Sequence, residues 1–245
     1  MSKQSEALVL RTYPFHEADL LVTLLTRSEG KIRGVAKSAM RSKKRFGGAL
    51  EPLTHVMAHW HDKEKQELSR LDSFDILSSP LVYEVGYPRL VAVGFVAEVI
   101  DQLLPEREPN DAVFRLTLSV IAHLTSDAIW MPLTYFDLWM VRLSGWLPDL
   151  TACAVCGESL NGGKAFFHPR AEGLLCVRDK QLAAGEISSE SRELAAGMFR
   201  APVETFAGNP WPRSVAADLR KFLTQRIERQ LEKKLVTAAM LEKLD

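Results

Sequence analysis

The sequence predicts an α+β chain, with a small N-terminal β-barrel followed by an α-helical domain that carries a cysteine-bearing insert. Three observations predict it. Hydrophobic residues alternate in twos up to about residue 80 and then recur at three-four spacing. Seven cations and no acid lie from Lys31 to Arg45, inside the strand-rich part. A Cys-x-x-Cys and a third cysteine interrupt the helical part.

The first strand is read at Ala7–Thr12 and the second at Leu20–Thr26. Glu29-Gly30 is a turn signal, and Lys31–Val35 then alternates apolar with basic residues. Thr54–His61 puts Val56, Ala58 and Trp60 on one face, and Glu67–Leu77 completes the set. Five short strands in about 75 residues fit a closed or partly closed barrel, which hides the edges a small half-buried sheet exposes.

After Ser78-Ser79-Pro80 the pattern turns helical. Leu90, Val93, Val96, Ala97, Ile100, Leu103 and Leu104 follow helical spacing, and Pro88 suits a first turn. Pro105 and Pro109 break this helix. Asn110 or Asp111 can cap the next, which runs through Phe114, Leu116, Leu118, Ile121 and Leu124. Pro132 opens a third, ended by Gly145, and a last amphipathic stretch runs from about Val215 to Leu235. The expected domains are 1–80 and 81–245, the second interrupted by an insert at about 150–182.

Composition narrows the class. Over 245 residues the chain is 47% hydrophobic and 25% charged, which is globular usage. The formal net charge is zero, but residues 1–80 carry 13 Lys and Arg against 10 Asp and Glu, and residues 81–245 carry 18 against 21. Met1-Ser2-Lys3-Gln4-Ser5-Glu6 lacks the apolar core of a secretory signal, and no run approaches the ~18 apolar residues of a spanning helix. Three cysteines cannot build a disulfide framework. A cytoplasmic protein without membrane contact is expected.

The stretch from Lys31 holds Arg33, Lys37, Arg41, Lys43, Lys44 and Arg45 among small residues, the make-up of a mobile loop between strands. Long cations there can neutralise a phosphate chain, with binding that weakens steeply in salt. Phe46, with Tyr13 and Phe15 in the first inter-strand loop, can offer faces for base stacking. The alternative is a solvated loop kept soluble by its charge.

Cys153-Ala154-Val155-Cys156-Gly157 is half of a zinc ribbon, two thiols on a turn that Gly157 lets close. Nineteen residues separate Cys156 from Cys176, but Cys176-Val177-Arg178 is followed by Asp179. A carboxylate can ligate zinc, and His168 is a second candidate for the fourth position. Either one structural zinc ion sits on Cys153, Cys156, Cys176 and Asp179, or Phe166, Phe167, Leu174 and Leu175 hold a vestigial ribbon without metal. No organic cofactor is expected.

Nothing in the sequence supports an enzyme. There is no GxxxxGK[ST], GxGxxG after a strand, HExxH or GxSxG. His55, His59 and His61 share a strand face by the period-two count, and with His16 they tempt as a cluster. An exposed outer strand face accounts for them without chemistry.

The residues also resemble a known family. Glu6-Ala7-Leu8-Val9-Leu10 through His16-Glu17-Ala18-Asp19-Leu20 resembles the opening of the bacterial RecO recombination mediators. So do Leu24-Leu25-Thr26, Gly30-Lys31-Ile32, Val35-Ala36-Lys37 and Arg45-Phe46-Gly47-Gly48-Ala49-Leu50-Glu51-Pro52. Gly145-Trp146-Leu147-Pro148-Asp149-Leu150, the Cys-x-x-Cys and Gly173-Leu174-Leu175-Cys176 follow in the same order and spacing. The similarity runs to about residue 182.

The resemblance implies an N-terminal OB-fold, then a helical domain with a zinc-ribbon-like insert. It implies a protein that binds single- and double-stranded DNA and anneals complementary strands. With RecR, such a protein helps load RecA onto DNA covered by single-strand-binding protein, whose acidic C-terminal tail it contacts, and so works at the nucleoid. Lys221, Arg226 and Arg229 on the last helix are candidate contacts for that tail. Metal-binding relatives have a fourth cysteine where this chain has Asp179. The rival reading is a protein–protein adaptor whose basic loop meets an acidic peptide, with DNA contact incidental.

Overall fold

The computed structural model describes residues 2–62, 67–81, 86–208 and 210–244, with the Lys43 side chain outside the description. Five strands, β1 (Ser2–Pro14), β2 (Leu20–Thr26), β3 (Gly30–Ala36), β4 (His55–His61) and β5 (Ser69–Ser78), pair in the ring β1-β2-β3-β5-β4 and back to β1. This is the closed five-stranded barrel of the α+β reading, and its order fits an OB-fold. Alternation drives it. Val56, Ala58 and Trp60 of β4 point inward with Ala7, Val9, Val22, Leu24, Ile32 and Leu71.

β1 is longer than its hydrophobic run because it serves two neighbours. Its first half pairs with β4, from Ser2↔His61 to Leu8↔His55, and its second half with β2, with a bulge between Val9 and Arg11. The barrel closes where β3 meets β5 in parallel, over the pairs Gly34↔Ser69, Val35↔Arg70 and Ala36↔Leu71. Gly34 permits that seam, since a Cβ there would stand 2.7 Å from the Leu71 side chain and 2.8 Å from the Ser69 carbonyl oxygen.

The basic stretch is not an open loop. After Ser38 it forms a 3-10 turn, Ala39–Arg41, and a short helix, α1 (Lys43–Phe46). Ala39, Phe46 and Ala49 enter the barrel core, so this segment plugs one end of the barrel. Its apolar residues outweigh the loop-like charge around them, because an open barrel end leaves core side chains in water.

Contacts group the chain into two compact units, residues 1–126 with 239–245, and residues 127–238. The first holds the barrel with α2 (Tyr87–Leu103) and α3 (Asp111–His123). Pro88 lies in the first turn of α2, and Asn110 caps α3 by accepting from the Val113 N–H at 3.0 Å. The segment between these helices lies along β3, where the Arg107 N–H donates to the Lys31 carbonyl at 2.9 Å. Gly30 is required twice over. It has φ +71°, and a Cβ would come within 2.0 Å of the Glu108 carbonyl oxygen.

The second unit contains α4 (Trp130–Leu143), α5 (Ser189–Met198) and α6 (Ala217–Leu231), with a two-stranded sheet of β6 (Ala165–Phe167) and β7 (Gly185–Ile187). α4 packs on α6, and Gly145 at φ +75° turns the chain out of α4. The last amphipathic stretch, expected from about Val215 to Leu235, is the helix α6. α6 stops as Glu232 turns left-handed at φ 53°, and α7 (Val236–Leu241) follows. No helix among the described residues is long and apolar enough to cross a membrane.

Candidate functional site

Of the seven cations from Lys31 to Arg45, the fold commits three elsewhere. The Lys31 side chain is only 11% exposed. Its ammonium donates to the Asp101 carbonyl at the end of α2, and burial lowers its pKa. Arg33 Nε lies 2.6 Å from Glu106 Oε1, an ion pair by distance without hydrogen-bond alignment. Arg45 donates to Ser42 Oγ at 3.1 Å and to the Lys37 carbonyl at 2.6 Å, and its guanidinium lies over the Phe46 ring. Lys31 and Arg33 therefore secure the α2–α3 segment to the barrel; burial corrects the reading of Lys31 as a phosphate ligand, while the Arg33 side chain stays 42% exposed. Lys37, Arg41 and Lys44 are exposed and have no ion pair among the described residues.

Phe46 is the second correction. It is 2% exposed and meets Phe74 edge-on with ring centroids 5.3 Å apart, so it offers no face to a base. The plug needs an apolar anchor, and Phe46 supplies it. Tyr13 and Phe15 have what Phe46 lacks, being 44% and 41% exposed.

Two of these exposed groups, Phe15 and Lys37, meet in one cleft. Phe15, His16 and Asp19 from the β1–β2 loop, Val35 and Lys37 after β3, and Glu67–Arg70 at the start of β5 line a hollow of about 550 Å³. The β1–β2 loop is tied to the plug, since the Ser38 N–H donates to Asp19 Oδ1 at 2.7 Å and the Met40 N–H to the Ala18 carbonyl at 3.2 Å. The cleft thus holds the Phe15 ring together with the cations Lys37 and Arg70, with Asp19 and Glu67 as its acidic members. Arg70 was not visible as a site residue in the sequence, because only barrel closure brings the start of β5 beside Lys37.

The three histidines of β4 do not converge. His55, His59 and His61 each face a different carboxylate, Glu6 at 3.0 Å, Asp75 at 3.2 Å and Asp72 at 2.5 Å.

The cysteines do converge. Cys153, Cys156, Cys176 and Asp179 bring one ligand atom each within 4.8 Å of one another, the single such group among the described residues. His168 is not a member. Its Nδ1 instead accepts from the Arg170 N–H at 3.2 Å. Cys156 Sγ and Cys176 Sγ are 3.8 Å apart, and Asp179 Oδ2 lies 3.2 Å from both Cys153 Sγ and Cys176 Sγ. Zinc–sulfur bonds of about 2.3 Å at tetrahedral angles separate sulfurs by about 3.8 Å, so the donor set fits a metal ion of that kind.

The electrostatics around the cysteines are uneven. Burial opposes ionisation of Cys153, and the N–H groups of Cys156, Val155 and Cys176 more than offset it, so its pKa is lowered. The Asp179 carboxylate pushes the Cys156 thiol up to about 12. Arg178, fixed by Glu158 at 2.7 Å, reaches to 4.0 Å from Cys156 Sγ. A cation held there offsets negative charge when all four ligands ionise.

Comparison with known proteins decides the family. The family model "Recombination protein O N terminal" matches residues 1–80, and "Recombination protein O C terminal" matches residues 86–238. The chain is 66% identical over 245 residues to the DNA repair protein RecO of Koribacter versatilis (strain Ellin345), covering 100% of both chains. It belongs to the RecO family. It is also 32% identical over 241 residues to the DNA repair protein RecO of Anaeromyxobacter sp. (strain Fw109-5), covering 97% of this chain and 94% of that one. With its Bifidobacterium adolescentis counterpart it shares 36% over 182 residues, 72% of this chain and 73% of the other.

Within this RecO-family chain, two of the α6 cations have internal duties. Arg226 donates to the Trp146 carbonyl at 2.9 Å, and Arg229 to the Ala171 carbonyl at 2.8 Å. They bind the helix to the segments flanking the cysteine insert, which corrects their reading as free contacts for an acidic tail. Lys221 is exposed.

Proposed function

We propose that this chain is a non-enzymatic mediator of DNA repair and recombination that binds single- and double-stranded DNA on its barrel. It anneals complementary strands and, together with RecR, helps load RecA onto DNA covered by single-strand-binding protein. The observation that carries the reading is the convergence of exposed Phe15 and Lys37 on one cleft, with exposed Arg41 and Lys44 on the adjoining plug. Cations there neutralise phosphates and aromatic faces stack on bases, the combination that holds single strands without sequence preference. Annealing follows when a cationic surface lowers the repulsion between two strands held on one molecule.

The helical part is read as the carrier of protein partners, including the acidic tail of the single-strand-binding protein. The setting is the cytoplasm, at the nucleoid. One structural zinc ion on Cys153, Cys156, Cys176 and Asp179 would hold the insert together and leave no open position for chemistry.

The test is fluorescence anisotropy with labelled single-stranded DNA across a salt series. Wild type is compared with a variant in which Lys37, Arg41 and Lys44 are Ala. The variant is expected to bind more weakly, with a salt slope shallower by about 2, the value for three fewer phosphate contacts on a single strand. Equal affinity and equal slope would overturn the barrel-surface reading. Under the adaptor reading neither salt nor oligonucleotide length changes DNA affinity steeply.

A further inference from the structure

Arg107, in the segment between α2 and α3, grips both ends of the β4–β5 connection. Its Nη1 and Nη2 donate to the two carboxylate oxygens of Asp62 at 3.0 and 3.1 Å, and Nη2 also donates to Ser69 Oγ at 3.1 Å. Asp62 directly follows β4, and Ser69 opens β5. Ser69 Oγ in turn donates to Asp62 Oδ1 at 2.6 Å. Lys3 and Glu29 extend the group, with Lys3 Nζ 2.8 Å from Asp62 and Arg107 Nη1 3.1 Å from Glu29.

The backbone of Arg107 is held as tightly as its side chain. It has φ 63°, a left-handed conformation for a residue other than glycine, and its N–H donates to the Lys31 carbonyl at 2.9 Å. Such a conformation persists where the surroundings over-determine it. The clamp sits at the weakest seam of the barrel, the parallel β3–β5 contact of three register pairs. Ser69 belongs to both structures, as a clamp partner and as part of the cleft wall formed by Glu67–Arg70.

We infer that Arg107 is a positioning residue for the nucleic-acid cleft, holding the start of β5 in its binding arrangement without itself touching the strand. The inference rests on the cleft reading given under Proposed function. Arg107 acts through Asp62 and Ser69, so its effect is separable from that of its charge. Losing Arg107 removes a cation and losing Asp62 removes an anion, yet both release the same wall.

The experiment measures anisotropy of the full chain with a labelled oligothymidine for Arg107→Ala, Asp62→Ala, the double variant and Arg107→Lys. Arg107→Ala and Asp62→Ala are each expected to weaken binding about fivefold, the loss that follows when the competent arrangement falls to about a fifth of the population. The double variant loses little more than either alone, because one contact is removed twice. Arg107→Lys keeps the charge but not the two-pronged contact, so it also weakens binding, and it carries the test if Arg107→Ala does not fold. Backbone hydrogen exchange at Glu67–Leu71 rises in the free variants and returns toward the wild-type rate on DNA.

Tighter binding by Asp62→Ala, or wild-type affinity in Arg107→Lys, overturns the inference and leaves a simple field effect. The variant lacking Lys37, Arg41 and Lys44 serves as the control. If it is impaired while the clamp variants bind normally, the clamp alone fails. If it binds as wild type does, the cleft reading fails.

Discussion

Arg33 and Glu106 stand 2.6 Å apart, Nε to Oε1, across the line where β3 meets the segment joining α2 and α3. That ion pair, with Lys31 on Asp101, divides a run of cations that is uniform in sequence into two functional classes. The first two cations hold the barrel to its own helices. Lys37, after β3, and Arg41 and Lys44, on the plug, face solvent.

The division is testable by separating stability from binding. Lys31→Ala is expected to cost about 1–3 kcal/mol of stability, because it strips the part-buried Asp101 carbonyl of a charged donor. DNA affinity should stay within about twofold, since Lys31 makes no phosphate contact. Urea denaturation and anisotropy on the same preparation check both halves. An affinity loss as large as that of Lys37→Ala would return Lys31 to the binding surface.

Phe46 and Phe15 should behave in opposite ways. Phe46→Ala empties a core position against Phe74 and is expected to cost about 3–5 kcal/mol of stability. Phe15→Ala is expected to leave the melting temperature within a degree or two of wild type while weakening single-strand binding by about 1–3 kcal/mol, the worth of one stacked base. Melting curves and binding isotherms for the two variants decide the matter. Equal binding by Phe15→Ala would remove stacking from the cleft.

For the cysteine cluster, wild type purified under reducing conditions should carry one zinc per chain by atomic absorption. Asp179→Ala should lose the metal at a chelator concentration at least about tenfold lower, and Asp179→Cys should retain it more tightly. Substituting cobalt(II) reports the ligand set through its visible spectrum. A cobalt spectrum unchanged by Asp179→Ala would take Asp179 out of the site.

Two acids, one buried and one partly exposed, predict opposite pH dependences. Asp137 on α4 is wholly buried with Oδ1 lacking a hydrogen-bond partner. Burial pushes its carboxyl well above the ordinary 3.8, against the pull of Arg220. The folded state therefore holds that proton more tightly than the unfolded chain does. Its contribution to stability falls as pH rises from near 3.8 through the native value. Asp137→Asn should remove that fall and raise stability at neutral pH relative to wild type.

For Asp62, burial pushes the carboxyl up, but hydrogen bonds from Arg107, Lys3 and Ser69 hold it well below its ordinary value of 3.8. Its stabilisation is present above that value and disappears in acid. Urea midpoints from about pH 2 to pH 8 for wild type and each Asn variant give the two signs, that of Asp62 below about pH 4 and that of Asp137 above it. Parallel curves for wild type and Asp137→Asn would show that the buried acid does not titrate in this range.

Much of the fold was legible because its signals are local. The alternation of Val56, Ala58 and Trp60, the run Leu20–Thr26, the Asn110 cap and the Gly145 stop depend on neighbours a few residues away. α5 was missed, although Ser188, which accepts from the Ser191 N–H at 3.2 Å, is a capping signal of the same local kind. The plug was misread because its charges are conspicuous and its three buried anchors, Ala39, Phe46 and Ala49, are not.

The sequence alone determined the change from period two to helical spacing, the cation run, the cysteine spacing and the family resemblance. Each is written in residues close together along the chain. Only the tertiary structure decided which cations face solvent, that Phe15, Lys37 and Arg70 share a cleft, that Asp179 rather than His168 joins the cysteines, and that Arg107 grips Asp62 and Ser69. Those choices depend on long-range closure, in which β5 must meet β3 before Ser69 stands beside Gly34. An ion pair costs little to form with whichever opposite charge the packed backbone brings within 4 Å. Hydrophobic periodicity states that a barrel closes, and the geometry of the closure assigns each charge its partner.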